Sequence, residues 1–315
     1  MGAAQVVFLL PAAERFGAQR LDEAGARALG RADRLQDGEP GHRPQLLRHF
    51  ELLPRHWPIA ALSRQLDAGD AAGSAWLRAD PAYVRPDING ARLLASGEAL
   101  ALGEADAAAL LPALKPLFGD AGFPIDAPVP ARWYLRLPPQ AGLPEFTAPS
   151  EALGADLFEH LAEGAAGRRW RTLLNEAQIL LHNHPWNARR VERGLAPVNS
   201  LWFWGAGVLP DHVRSDFAAV TGEEESLRAL AAAAGLRVQP SEVRFAAPDV
   251  DTLVDLRPLR DLRLFAQDWL APALQAMQAG RLASLRLDLE DGSAYHVARG
   301  QRWRLWRRPQ ATLAR

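Results

Sequence analysis

One stretch constrains the fold more than any other: residues 175–207, NEAQILLHNHPWNARRVERGLAPVNSLWFWGAG. Leu173, Leu174, Ala177, Leu180 and Leu181 recur at helical spacing, so a helix over Trp170–Asn183 carries one apolar stripe. Pro185 lacks a backbone donor and breaks that helix. A short basic helix follows, then Asn199–Trp204, an apolar and aromatic run that reads as a buried strand. It opens into Gly205-Ala206-Gly207. A helix and a buried strand joined this closely need other helices and strands to cover them.

The rest of the chain supplies both. Val6–Leu10 reads as a short buried strand closed by Pro11. Leu21–Leu35 and Ile59–Leu66 have helical spacing, and Trp76–Val84 and Ala91–Ala95 read as strands joined through Asn89-Gly90, a strong hairpin signal. A helix is expected over Glu104–Leu117, broken or bent at Pro112 and Pro116, and a strand at Arg132–Leu137. Ser150 is expected to cap a helix through Phe158 and Leu161. A helix over Glu223–Ala234 stops at Gly235, short strands fall near Val243 and Leu253, and a long helix over Asp261–Gln278 ends at Gly280. Leu285, Leu287 and Leu289 alternate with charged residues, and Ala294–Arg299 and Arg302–Arg307 complete an expected antiparallel meander. The fold class is α/β, with mixed α+β the alternative: a mixed sheet, flanking helices and a C-terminal meander. Pro138–Pro149 holds four Pro and one Gly. It divides the chain into an N-terminal α/β region (1–137), a Pro-rich linker or long loop (138–149) and a C-terminal α/β region (150–315).

Composition removes several chemistries. The chain has 315 residues and no Cys, so disulfides, thiolate zinc sites and thiol nucleophiles are excluded. Lys and Arg together number 36, and Lys115 is the only Lys. The bland reading is a GC-rich bacterial genome. A P-loop and a Schiff-base enzyme both need a placed Lys, and Lys115 beside Pro116 provides neither. A net charge of −1 gives no global attraction to nucleic acid or anionic lipid. The N-terminal apolar run is five residues, too short for a signal peptide or a membrane span, and a cytoplasmic protein without membrane contact is expected.

The candidate site residues lie in the organising stretch. Asn175, Gln178 and His182 share a helix face, which is either solvated or the wall of a pocket. His182-x-His184 would chelate a metal only off a helix, since residues two apart point to different sides of it. Asn187, Arg189, Arg190 and Arg193 crowd one segment; guanidinium groups suit phosphate or carboxylate, and a solvated basic helix is the alternative. Backbone N–H groups at a strand ending in Gly-x-Gly can approach an anion. The expected ligand-binding set is His184, Asn187, Arg190, Asn199, Gly205 and Gly207, with no catalytic and no metal-binding residue assigned.

His184-Pro185-x-Asn187, Arg190, Gly194, Asn199 and Trp202-x-Trp204-Gly205-x-Gly207 resemble a segment of the archaeal-type cofactor-independent phosphoglycerate mutases. Those are two-metal enzymes of the alkaline phosphatase superfamily. Over its whole length, including Trp76–Pro81 and Trp303–Arg308, the chain resembles the RpfE-type regulatory proteins. The mutase motif covers about 25 residues, and the departures are specific. The resemblance implies a metal-binding Asp-Gly-x-Gly-Asp after the first strand, where this chain has Pro11-Ala12-Ala13-Glu14. No Ser or Thr nucleophile stands out, and Asp249, Asp251 and Asp255 have no accompanying His.

The expectation is therefore a cytoplasmic regulatory or ligand-sensing protein of the RpfE type with a vestigial phosphate or carboxylate pocket, leaning away from catalysis and needing no cofactor. Its expected partners are a small phosphorylated or carboxylated metabolite and another protein. The alternative is a metal-dependent phosphoglycerate mutase or phosphatase drawing on His182, His184, Asp249 and Asp251 with manganese or another divalent ion. The tail from Arg299 carries six Arg and no acid, with Trp303 and Trp306 between them. It could grip nucleic acid, but an edge strand protected by charge, its Trp residues in the core, is the preferred reading.

Overall fold

Val6–Leu10 is apolar without alternation because both of its faces are covered. It lies in strand β1 (Ala4–Leu10), where Val6, Phe8, Leu9 and Leu10 are at most 1% exposed. This computed structural model describes residues 3–36, 38–87, 90–138 and 141–313. It divides into two compact units, Met1–Arg55 with Asp211–Arg315, and His56–Pro210.

In the first unit β1 is flanked by two parallel neighbours, β12 (Thr252–Asp255) and β13 (Leu282–Leu289); Phe8 stands opposite Val254 on one side and Leu287 on the other. β10 (Ala219–Thr221) and β11 (Arg237–Gln239) extend the parallel set beyond β12. Beyond β13 the antiparallel strands β14 (Ser293–Ala298) and β2 (Asp33–Gln36) complete the seven, in the order β11-β10-β12-β1-β13-β14-β2. β3 (Glu51–Leu53) and β9 (His212–Arg214) form a separate antiparallel pair. The helices are α1 (Glu23–Arg31), α2 (His42–Leu47), α8 (Glu225–Ala233), and a continuous run of α9 (Leu262–Leu264), a π-helical turn Phe265–Leu270 and α10 (Ala271–Gln278). Phe8 meets Phe245, Phe265 and Trp269 edge-on at 5.7–6.2 Å, at the centre of one apolar core.

The second unit is built on β4 (Ala75–Asp87), whose 13 residues carry three antiparallel partners. β5 (Gly90–Ser96) and β7 (Arg132–Leu137) share one edge, and β8 (Ser200–Gly207) takes the other. β6 (Ile125–Val129) pairs with β7. The Asp87–Gly90 pairing gives the expected hairpin, although Ile88 and Asn89 lie outside the described residues. The helices here are α3 (Ile59–Ala68), α4 (Glu104–Asp120), α5 (Pro149–Ala152), α6 (Gly164–His182) and α7 (Trp186–Glu192).

Several expectations are corrected. α4 runs unbroken through Pro112 and Pro116, both on its exposed side, while Leu110, Leu114 and Phe118 are fully buried. An interior Pro costs about 3 kcal/mol, and three buried side chains at about 1.5–3 kcal/mol each offset two of them. The helix expected to reach Leu35 ends at Arg31, because Leu35 belongs to β2. Ser150 sits inside the four-residue α5 rather than capping a long helix. Val243 is exposed, and the neighbouring strand is β11. No strand forms at Arg302–Arg307. The free edge of β14 is taken by β2, and Gln301 and Arg304 instead bind the Asp33 carboxylate from a 3₁₀ turn, Arg299–Trp303, and the residue after it. Trp303 and Trp306 are 67% and 77% exposed, not core. The Pro-rich segment lies inside the second unit and is packed there: Phe146 meets Trp170 edge-on at 5.4 Å, and Thr147 accepts a hydrogen bond from Trp202. Residues 139 and 140 of it lie outside the described residues.

Candidate functional site

In sheets with parallel strands, ligand chemistry gathers at the strands' carboxyl ends. Here those ends carry acids. Asp255 ends β12 and Asp288 is the penultimate residue of β13. Both carboxylates are 2% exposed or less.

Each is occupied by cations of the chain itself. Arg257 grips Asp255 with two parallel bonds, Nε to Oδ1 at 2.7 Å and Nη2 to Oδ2 at 2.8 Å. The same guanidinium reaches Glu224 Oε2 at 3.2 Å and His42 Nδ1 at 2.8 Å. A guanidinium N–H can only donate, so His42 Nδ1 accepts, and the ring proton on Nε2 faces Glu224 Oε1 at 3.6 Å. Glu224 also caps α8, accepting from the Ser226 and Leu227 amides. Burial opposes its ionisation, but the nearby His42 ring and the Arg257 charge more than offset this, and its pKa is held below the usual carboxylate range.

Asp288 is treated alike. Arg48 donates Nη2 to Oδ1 at 2.6 Å and Nε to Oδ2 at 3.2 Å, and His49 Nε2 lies 3.0 Å from Oδ2. Burial pushes this pKa up; His49 and Arg48 together bring it below the ordinary value. Gln45, fully buried, plugs the end of β1 by donating to the carbonyls of Leu10 and Asp288 at 3.0 and 2.8 Å. Its Oε1 has no partner among the described residues. Asp249 and Asp251 precede β12 and so lie at the other end of the strand from Asp255; Asp251 accepts the Gln5 amide.

The donor set does not fit the two-metal centre that the resemblance implies. Both oxygens of Asp255 and of Asp288 are bonded to guanidinium groups, and among the described residues no group of three or more His, Asp or Glu is arranged to hold a metal.

The residues expected to bind an anion lie in the second unit, and their polar groups are engaged inside it. His184 Nδ1 accepts the Trp186 amide at 3.2 Å, at the start of α7. Asn187 donates to the carbonyls of Leu181 and Val198 and accepts from the Val198 amide, all at 2.8 Å, tying the helix break to the segment before β8. Arg190, 0% exposed, donates to the carbonyls of Ala196 and Leu100 and pairs with Asp106 at 2.9 Å. Asp106 also accepts from Trp186 Nε1 and from the Gly103 amide, and its pKa is lowered by these contacts against the effect of burial. Asn199 exchanges two bonds with the backbone of Val84, continuing the β4–β8 ladder with its side chain.

The glycines serve close packing. Gly205 has φ +68°, and a Cβ there would stand 2.3 Å from Ile59 Cγ2; a Cβ at Gly207 would stand 2.6 Å from Pro58 Cβ. From Asn199 to Gly207 the chain advances about 26 Å at strand rise. Asn187 and Arg190 therefore meet near the start of β8 and the glycines lie at its far end, so the six residues do not surround one pocket. On the α6 face, Asn175 and His182 are exposed, while Gln178 donates to Ser200.

The sequence offered little notice of the strand-end cluster. Asp288 reads as the solvent-facing member of an alternating strand, yet β13 is parallel to β1 and buried on both faces at its carboxyl end. Asp255-x-Arg257 directly after an apolar strand was the one local signal.

A seven-stranded mixed sheet with flanking helices and acidic strand ends defines a mixed α/β protein. No protein-family model matches the chain. A stretch of 62 residues is 42% identical to the probable 2,3-bisphosphoglycerate-independent phosphoglycerate mutase of Geobacter sulfurreducens, covering 20% of this chain and 16% of that protein. A stretch of 111 residues is 33% identical to the 2,3-bisphosphoglycerate-independent phosphoglycerate mutase of Methanothrix thermoacetophila, covering 34% and 28%. Short segments are thus similar to cofactor-independent phosphoglycerate mutases, and these matches span less than a third of either relative. Among solved structures, the PH0037 protein from Pyrococcus horikoshii shares the fold at TM-score 0.51 and 12% identity, over 95% of this chain and 88% of that one. The cofactor-independent phosphoglycerate mutase from Thermoplasma acidophilum aligns at TM-score 0.45 and 15% identity, over 94% and 89%. Among the described residues no helix is long and apolar enough to cross a membrane.

Proposed function

We propose that this chain is a non-catalytic regulatory or ligand-sensing protein of the RpfE type, cytoplasmic, related to the cofactor-independent phosphoglycerate mutases through its short matching segments. One observation carries the reading: the strand-end carboxylates Asp255 and Asp288 are neutralised by Arg257 and by Arg48 with His49. Two-metal phosphoryl transfer needs carboxylates and imidazoles free to hold two ions a few ångströms apart. A fixed guanidinium supplies the compensating charge without an open coordination position or an activated water. The sheet end is thereby held together without metal, and the chain keeps the architecture for recognition rather than turnover.

The test is turnover of 3-phosphoglycerate by the purified chain, with manganese, magnesium, cobalt and zinc each supplied in turn. The expected result is neither mutase nor phosphatase activity above a metal-only blank. Metal-dependent turnover would overturn the proposal in favour of an active mutase or phosphatase, the reading that the 42% identical stretch favours.

A further inference from the structure

A cavity of about 410 Å³ lies in the first unit, at the opposite end of the sheet from the strand-end acids. Its place follows from β14, which runs antiparallel: Val297 and Ala298 stand beside Leu285 and Ser284, near the amino end of β13. Small-molecule sites are commonly about 300–1,000 Å³ and combine apolar walls with placed polar groups. The lining combines both. Ala28 of α1, Ala266 and Leu270 of the π-helical turn, Leu274 and Met277 of α10 and Val297 of β14 give apolar walls.

The charged lining is one-sided: four arginines, Arg27, Arg31, Arg299 and Arg302, against the single carboxylate of Asp22. Asp22 is already used, accepting the Gly25 amide as the cap of α1. Arg31 donates to the Arg302 carbonyl and Arg27 pairs weakly with Glu23, an exposed partner. The Arg299 side chain makes no hydrogen bond or ion pair among the described residues. The chain as a whole has net charge −1, so this excess of cations is local.

The helix wall is irregular at the same place. Phe265–Leu270 is π-helical, a geometry that is rare and concentrates at functional sites. Ala266 and Leu270 of that turn both line the cavity.

We propose that this cavity binds a small soluble organic anion: one carboxylate or phosphate monoester on an apolar body. The body lies against Leu270, Leu274 and Met277, and the head meets Arg299 and Arg302 at the mouth, where guanidinium forks match either oxyanion. The site shares no residue with the strand-end cluster and holds whether or not the chain has catalytic activity.

Displacement of the fluorescent apolar anion 8-anilinonaphthalene-1-sulfonate from the full chain tests it. Octanoate and octyl phosphate are expected to displace the dye, and octanol and inorganic phosphate are not at equal concentration. Arg299→Gln is expected to weaken octyl phosphate roughly tenfold. Ala28→Phe, which fills the cavity, is expected to abolish displaceable dye; a melting scan and Leu274→Gln, a second change to the wall, guard against a folding defect. Trp306→Ser is expected to leave binding unchanged. Equal displacement by octanol or by inorganic phosphate overturns the proposal, because head or body would then contribute nothing. Loss of dye binding in Trp306→Ser with retention in Ala28→Phe overturns it too, since the dye would be on the exposed tryptophan.

Discussion

Replacing Arg257 by Ala is the most informative perturbation of the strand-end cluster. The guanidinium satisfies both oxygens of Asp255, one oxygen of Glu224 and one nitrogen of His42, all within 3.2 Å. Asp255 is 2% exposed, so its charge would be left without compensation in a poorly solvated place. Breaking a buried ion pair by removing one partner costs about 3–5 kcal/mol, a large share of the about 5–15 kcal/mol that stabilises an ordinary domain. Urea unfolding followed by tryptophan fluorescence should show a loss of that size. A loss under about 1 kcal/mol would refute the view that Arg257 is the structural counter-charge of this site.

Other consequences are as direct. The folded-state pKa values of Asp288 and Glu224 lie below their unfolded values, so in the interval between them the unfolded chain binds more protons. Their contribution to stability is complete above about pH 5 and falls as the pH drops through the carboxylate range; urea midpoints from pH 6 to 3 should fall less steeply in Asp288→Asn, and identical slopes would contradict the assignment. Asn187→Ala strands a buried amide and two carbonyls and should cost about 1–3 kcal/mol; a fully stable variant would mean that the helix break is held by other contacts. Gly205→Ala forces a side chain into φ +68° and against Ile59, and should lower the melting temperature by several degrees, about 1–2 kcal/mol from the backbone alone.

Much of the scaffold is legible in the sequence because its signals are local. The apolar Val6–Leu10 run, the stripe on α6 apart from the exposed Leu180, and the β4–β5 hairpin each follow from residues within a dozen positions of one another. Gly235 and Gly280, both in left-handed conformation, stop the helices before them as expected. Failures came where a distant partner decided the outcome. Pro112 and Pro116 look like breaks until the buried face of α4 is counted. Arg302–Arg307 looks like a strand until β2 takes the edge it would need. The strand-end site was hidden for the same reason, since Arg48 and Asp288 are 240 positions apart and no spacing rule links them. Asn187, Arg190 and Asn199 resemble an anion motif because Asn and Arg side chains suit phosphate. The same donors suit backbone carbonyls, and that is where these three point.

Manganese binding to the native chain, measured from the free-ion paramagnetic resonance signal over micromolar to millimolar metal, tests the central claim most directly. Asp255 and Asp288 bonded to arginine predict a free-manganese signal that tracks total metal, with no stoichiometric uptake. Uptake of two ions per chain with micromolar affinity, lost in Asp255→Asn or Asp288→Asn, would contradict it and return the sheet end to metal chemistry.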